Sequence, residues 1–519
     1  MNVSDSFGSH ADAENATPSG VIDYTGEDFD CDERLQAMGF VGEHSERAWL
    51  YRLKQALGQG KAIPVGEHAD HHSISSMNYF QDESDIPLIE NLDLSGQPPP
   101  RDIADQLVDD YFQTVHPAFP VIERTKFIRQ YKSFYSNPDT PPAKQWLAIF
   151  NLIMAISARH SLLLGKQSPG EHDGHTVYFS RSWLLSLNPD AFLSNKTLQQ
   201  VQVEALTAFY LLSVGQVNRE SDTIEASETR YQVWWGLFTL DTVLCIMTGH
   251  PPCIGETYCT APLPVNYEGE CSENKPVVQP SKNTMDHIDP VQQEPSKGNQ
   301  SEKATELSRT SMHNISPCFI YTVHLTFAIQ EAVNTLYAPR AARRSWLEIE
   351  MAISSFNNNA EEWRSRLPAN SRFTEMGKDV PLIFPRAGLA FQFYSTKLII
   401  SQPCLRRITQ ISSPGCVCEA MAVICIEAAV KMIDILPDKV DIAWLYKETP
   451  WWCILHYVMQ STSVLLIALF NKDRLAMIAS FDVDGKIKKA LRWLEEMSTT
   501  DISSRRAWSI CEDILSQRS

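Results

Sequence analysis

From Arg101 to the C-terminus the apolar residues recur at three- and four-residue intervals and almost never alternate. That periodicity constrains the chain more than any other feature, because it suits helices and does not suit strands. Ile103, Leu107, Val108, Tyr111, Phe112 and Val115 trace the stripe of one amphipathic helix. His116-Pro117 stops it, since proline pushes the residue before it out of the helical region. Phe119 to Ile122 crosses to a helix over about 123–135, and further helices are expected over about 143–164, 175–187, 197–217 and 229–248. A later series is expected over about 319–337, 344–366, 385–402, 418–436, 450–470, 485–498 and 503–516, and a short helix over Ser45 to Leu57. The fold class is all-α.

Two stretches break the pattern. Between Glu268 and Cys318 there is no Phe, Tyr or Trp, so the segment cannot bury enough apolar surface to offset its ordering entropy. The chain therefore divides into a disordered acidic tail (1–44) and a mostly irregular linker with one short helix (45–100). An N-terminal helical half (101–266), a disordered insertion (267–314) and a C-terminal helical half (315–519) follow. Residues 1–100 carry 18 Asp and Glu against 5 Lys and Arg, within a net charge of -18. Affinity for nucleic acid comes mainly from Lys and Arg on phosphates, so direct DNA binding by this chain is disfavoured. Tyr24 and Phe29 among the acidic residues of Val21 to Asp30 suit either an activation segment or a plain tail.

The start, Met1 to Glu14, is neither basic nor apolar, and 12 cysteines are scattered without a framework, which favours free thiols in a reducing compartment. Trp146 to Leu164 and Trp451 to Phe470 are the most apolar runs. Asn151, Arg159 and His160 interrupt the first, and His456 and Gln460 to Ser463 the second, so both read as core helices and no membrane contact is expected.

A search for chemistry finds little. Gly58-Gln-Gly60-Lys61 lacks the first glycine and the Ser or Thr of a phosphate loop. The His68, His71, His72 triplet, the His172 and His175 pair, Cys416 with Cys418, and Cys253 with Cys259 each lack partners at a useful spacing. No catalytic, metal-binding or cofactor-binding residue is assigned, and the chain is expected not to be an enzyme. The rival is an all-helical enzyme whose site assembles from distant residues.

Several blocks resemble the fungal-specific transcription factor domain, the middle homology region of fungal zinc-cluster regulators. Leu107 to Ile122, with Tyr111-Phe112 and His116-Pro117, is similar to its opening block. Arg230, Trp234-Trp235 and Asp241, running on to Gly249, Pro251 and Pro264, look like its signature block. Phe393 to Arg406, and Pro450 to Gln460 with Trp451-Trp452, are similar to C-terminal blocks of one branch. On the signature helix Val233, Trp234, Leu237, Leu240, Asp241 and Leu244 share one broad face. Arg230 lies about 16 Å from Asp241 along the helix, so Asp241 is expected to meet a tertiary partner.

The resemblance implies a nuclear regulator (with the cytoplasm as alternative) of metabolic or secondary-metabolite genes. Its implied partners are the transcriptional machinery or another regulator, a small-molecule effector, and a homo- or heterodimer. The family's DNA reader is a binuclear zinc cluster of six cysteines beside a basic stretch. Here Cys31 is the only cysteine before Cys245, so zinc and promoter DNA are expected only through a missing N-terminal cluster or a partner. Helices that usually follow a block like Leu212 to Arg219 are also expected to be missing at Arg219-Glu220, which leaves a truncated, non-functional gene product as an alternative.

Overall fold

The computed structural model describes residues 44–58, 77–81, 89, 99–137, 142–166, 174–186, 197–216, 231–255, 316–338, 341, 343–369, 371–373, 384–410, 416–472 and 481–517. The expected acidic tail up to residue 43, the insertion, the Arg219-Glu220 junction, Arg230, Pro264, Lys61, Cys259, His172 and the His68, His71, His72 triplet all lie outside them. His44, the last residue assigned to the tail, is instead buried against the Cys245 carbonyl.

Among the described residues there are fifteen helices and no strand. Short α1 (Glu46–Gly58) precedes the N-terminal half: α2 (Arg101–Thr114), α3 (Arg124–Ser136), α4 (Lys144–Leu163), α5 (Gly174–Ser186), α6 (Leu198–Ser213) and α7 (Tyr231–Thr248). The C-terminal half holds α8 (Pro317–Leu336), α9 (Trp346–Ser365), α10 (Arg386–Gln410), α11 (Cys416–Ile435), α12 (Ile442–Glu448), α13 (Ile454–Phe470), α14 (Val483–Met497) and α15 (Ile502–Ser516). Local chemistry sets several starts. Ser345 and Glu348 form a reciprocal capping box on α9, and Asp441, Asp482 and Asp501 cap α12, α14 and α15.

Packing follows the apolar faces. Helix α4 is sheathed by α2, α5 and α6, while α10 and α11 form the most extensive helical pair. Helix α8 lies against both α7 and α10, and α13 packs on α11, α14 and α1. One hydrophobic core runs through both halves, from Trp49 to Ile514. Helix α4 is long and apolar enough to cross a membrane, yet its most apolar window is 83% buried within the bundle.

Three details differ from the periodicity. The C-terminal helix expected to end at 402 continues through Pro403 to Gln410. Proline has no N–H for the Ile399 carbonyl, and the Tyr337 hydroxyl donates to that oxygen instead, at 2.6 Å. The short α12, between the expected helices, is set by the Asp441 cap. Helix α7 is buried nearly all round rather than on one face: Trp235, Phe238, Ile246 and Met247 are as enclosed as Val233, Leu237, Leu240 and Leu244, and Trp234 is only half-buried.

Candidate functional site

The signature residues converge where the two halves meet. Asp241 is buried in α7, and its oxygens accept the backbone N–H groups of Cys253 (3.2 Å) and Ile254 (3.0 Å). Asp241 was expected to meet a tertiary partner, but its oxygens cap the exit turn of its own helix instead. Gly249, at φ 79°, ends α7 in the left-handed region, Pro251 is exposed, and the chain folds back to present the two N–H groups. Burial pushes the Asp241 carboxyl up to about 6 against the pull of those hydrogen bonds. Across the seam, Gln330 of α8 donates to Thr242 Oγ1 (2.9 Å) and to the Ile254 carbonyl (3.1 Å), tying the turn to the C-terminal half.

The opening block has a similar structural duty. Tyr111 and Phe112 are buried, and His116 Nε2 meets the Ile122 carbonyl at 2.8 Å, bracing the crossing from α2 to α3. Burial lowers the His116 pKa, so the neutral ring with Nε2–H donating fits this contact. The crossing then presses on α7 at Gly236, where an added Cβ would stand 3.1 Å from Val121 Cγ1 and 3.3 Å from the Phe119 ring.

Trp451 and Trp452 form a turn before α13, their rings 5.9 Å apart and nearly perpendicular. Trp451 stacks on His160, at 4.9 Å, whereas Trp452 leans on Phe209, at 5.2 Å. Around Trp451 lies a buried charged seam. His160 places Nδ1 2.8 Å from Asp110 Oδ2 and Nε2 2.8 Å from the Tyr446 carbonyl. Arg159 pairs with Asp501 at 2.8 Å and also donates to the Ser213 carbonyl.

Further along the seam, Glu46 of α1 accepts from the Tyr79 hydroxyl and meets His456 Nδ1 at 3.2 Å. Burial alone would raise the Glu46 carboxyl, but His456 and the hydrogen bonds from His456 and Tyr79 outweigh it and hold it below its ordinary value. Arg47 bonds Asn78 and lies over the Phe80 ring, while Gln81 N donates to the Gly215 carbonyl (2.7 Å) and Arg506 to the Phe80 carbonyl (2.9 Å).

On the other side of the tryptophan turn is a partly open cleft of about 700 Å³, counted out to its mouth. Pro117 and Phe119 of the crossing line it, with Thr239, Leu240 and Val243 of α7. The starts of α8 and α10 and the Pro450-to-Cys453 turn complete the wall, in which no Asp, Glu, Lys, Arg or His stands among the described residues.

Of the residues singled out in the sequence, Pro117, Leu240 and Trp452 line this cleft, though nothing in the sequence placed them together, and no role was assigned to Glu46, Tyr79 or the Arg159–Asp501 pair. The signal lay in the interruptions: Arg159, His160 and His456 are the polar residues that break the two most apolar runs. Among the described residues no three His, Cys, Asp or Glu side chains converge to hold a metal, and His175 instead bonds the Tyr210 hydroxyl at 2.8 Å. Eight described cysteines are free thiols, Cys253 exposed among them, and the Cys418 thiol donates to the Cys404 carbonyl.

Comparison with known proteins matches residues 108–220 and 214–322 to the fungal specific transcription factor domain. The two matched ranges overlap at residues 214–220. The chain is 29% identical to the transcription regulator galc of Aspergillus niger, over 95% of this chain and 69% of that protein. It is 32% identical to the sorbicillinoid biosynthetic cluster transcription factor 2 of Penicillium rubens, over 24% of this chain and 20% of the relative. With cutinase transcription factor 1 alpha of Fusarium vanettenii it shares 27% identity, over 30% of this chain and 19% of the relative. No solved structure matches.

Proposed function

Because the chain belongs to the fungal transcription regulators that carry the fungal specific transcription factor domain, we propose that it acts in the nucleus on metabolic or secondary-metabolite genes. The observation that carries this reading is the match to a transcription regulator along 95% of the chain, both helical halves included. The sorbicillinoid-cluster relative favours a biosynthetic pathway among the targets. In this reading the helical domain relays the state of a partner or an effector and performs no catalysis. Promoter contact comes through an N-terminal zinc cluster, the one place zinc would enter, or through a DNA-binding partner.

Deleting the gene and profiling transcripts tests the proposal. A coherent set of pathway genes should change, and the tagged protein should be recovered in chromatin at their promoters. An unchanged transcript profile under all growth conditions that express the gene would overturn it.

A further inference from the structure

We propose that the cleft between the helical halves binds a small, neutral, ring-bearing molecule that donates one hydrogen bond. Three observations point to that chemistry. First, Phe119, Phe209, Phe384 and Trp452 give the cleft aromatic walls, the kind of lining that favours a ring.

Second, among the described residues no charged or imidazole side chain lines it. A carboxylate or phosphate entering would shed its water with no cation to replace it, which disfavours anions strongly. Gln392 is the polar handle: its amide N–H is donated to Thr326 Oγ1, and among the described residues no donor meets its carbonyl oxygen. Thr239 spends its hydroxyl on the Gly236 carbonyl of its own helix.

Third, Gly388 faces the cleft from α10, and a Cβ built there would meet nothing within 4 Å. A glycine inside a helix is costly relative to alanine. Gly236, whose Cβ position is crowded, has a packing reason; Gly388 borders open space on the cleft wall.

The ligand would be the effector of the regulator proposed above. The word effector alone rests on that reading, because binding is measured on the purified full chain without any promoter. Titration calorimetry with 2-naphthol, 2-naphthoate and the Gly388→Leu variant tests it. 2-Naphthol should bind, with Trp emission changing as Trp452 is covered, and 2-naphthoate should bind at least about tenfold more weakly. Gly388→Leu should weaken 2-naphthol by at least about tenfold while unfolding at the same temperature as the parent, and Gln392→Leu should weaken it severalfold. If Gly388→Leu fails to fold, Val243→Phe fills the cleft from α7. Equal affinity for naphthol and naphthoate, undiminished binding to the filled variants, or no binding of naphthol up to its solubility limit would each overturn the assignment and leave the transcriptional reading standing.

Discussion

On one face of the Pro450-to-Cys453 turn, Trp451 stacks on a histidine among buried charges; on the other, Trp452 looks into a cleft whose described lining carries none. The seam and the cleft lie between the same two halves, yet they do different physical work. Buried ion pairs such as Arg159–Asp501 gain little over well-packed apolar side chains, because desolvation consumes most of the attraction. Removing one partner, however, strands the other, so the seam fixes which surfaces meet. The cleft places no such demand on its walls and leaves space that protein atoms do not fill. The comparison teaches that the halves are held in register by charge and left open by neutrality.

The largest test of that contrast is Arg159→Ala, which leaves Asp501 buried without its cation and should cost about 3–5 kcal/mol in urea unfolding. A loss below about 1 kcal/mol would mean the seam is wetter than its burial indicates.

Next comes pH. Burial holds the His44 imidazole down at about 4, where it meets the Cys245 carbonyl, while an unfolded histidine titrates near 6.5. Below pH ~6.5 the unfolded chain takes up a proton that the folded chain refuses. The stability His44 contributes is complete above ~6.5 and drains as pH falls toward 4, reaching about 3 kcal/mol. Asp241 acts oppositely in this window, since its folded carboxyl protonates near 6 and its unfolded one lower. The difference in acid unfolding between parent and His44→Gln isolates the imidazole, and identical pH profiles would refute its burial.

Asp241→Ala, which orphans the N–H groups of Cys253 and Ile254 in the exit turn of α7, should cost about 2 kcal/mol in chemical denaturation. The smallest effect belongs to the cleft itself. Gly388→Ala should raise stability by about 0.5–1 kcal/mol, because the helix gains and nothing is displaced. A destabilisation would show that the space is already filled.

Much of this architecture was legible in the sequence. Helical periodicity located α2 through α7 and most of the later helices, because apolar spacing is a local property. Proline was a misleading signal at Pro403, where the decisive group, the Tyr337 hydroxyl, comes from 62 residues away along the chain to Ile399. Asp241 was expected to meet a tertiary partner, but its partners lie in a local turn that spacing along one helix does not reveal. The seam was invisible for the same reason: Arg159 and His456 were read only as blemishes in apolar runs, and their partners Asp501 and Glu46 sit hundreds of residues away. The cleft is the gap left by five or more converging segments, so no single stretch of sequence encodes it.

The bonds that close the seam also set a timetable. Glu46 and His456 are 410 residues apart, and Gln81 and Ser503 are 422 apart. At roughly 5–20 residues per second of synthesis, α1 leaves the ribosome roughly 20–80 s before the histidine that receives it exists. Through that interval Glu46 lacks its histidine and the face of α1 that packs on α13 has no native place to go. A nascent chain stalled before Ile454 should therefore leave the α1 segment open to protease, and release of the finished chain should close it. For this molecule the completion of translation is itself a folding step.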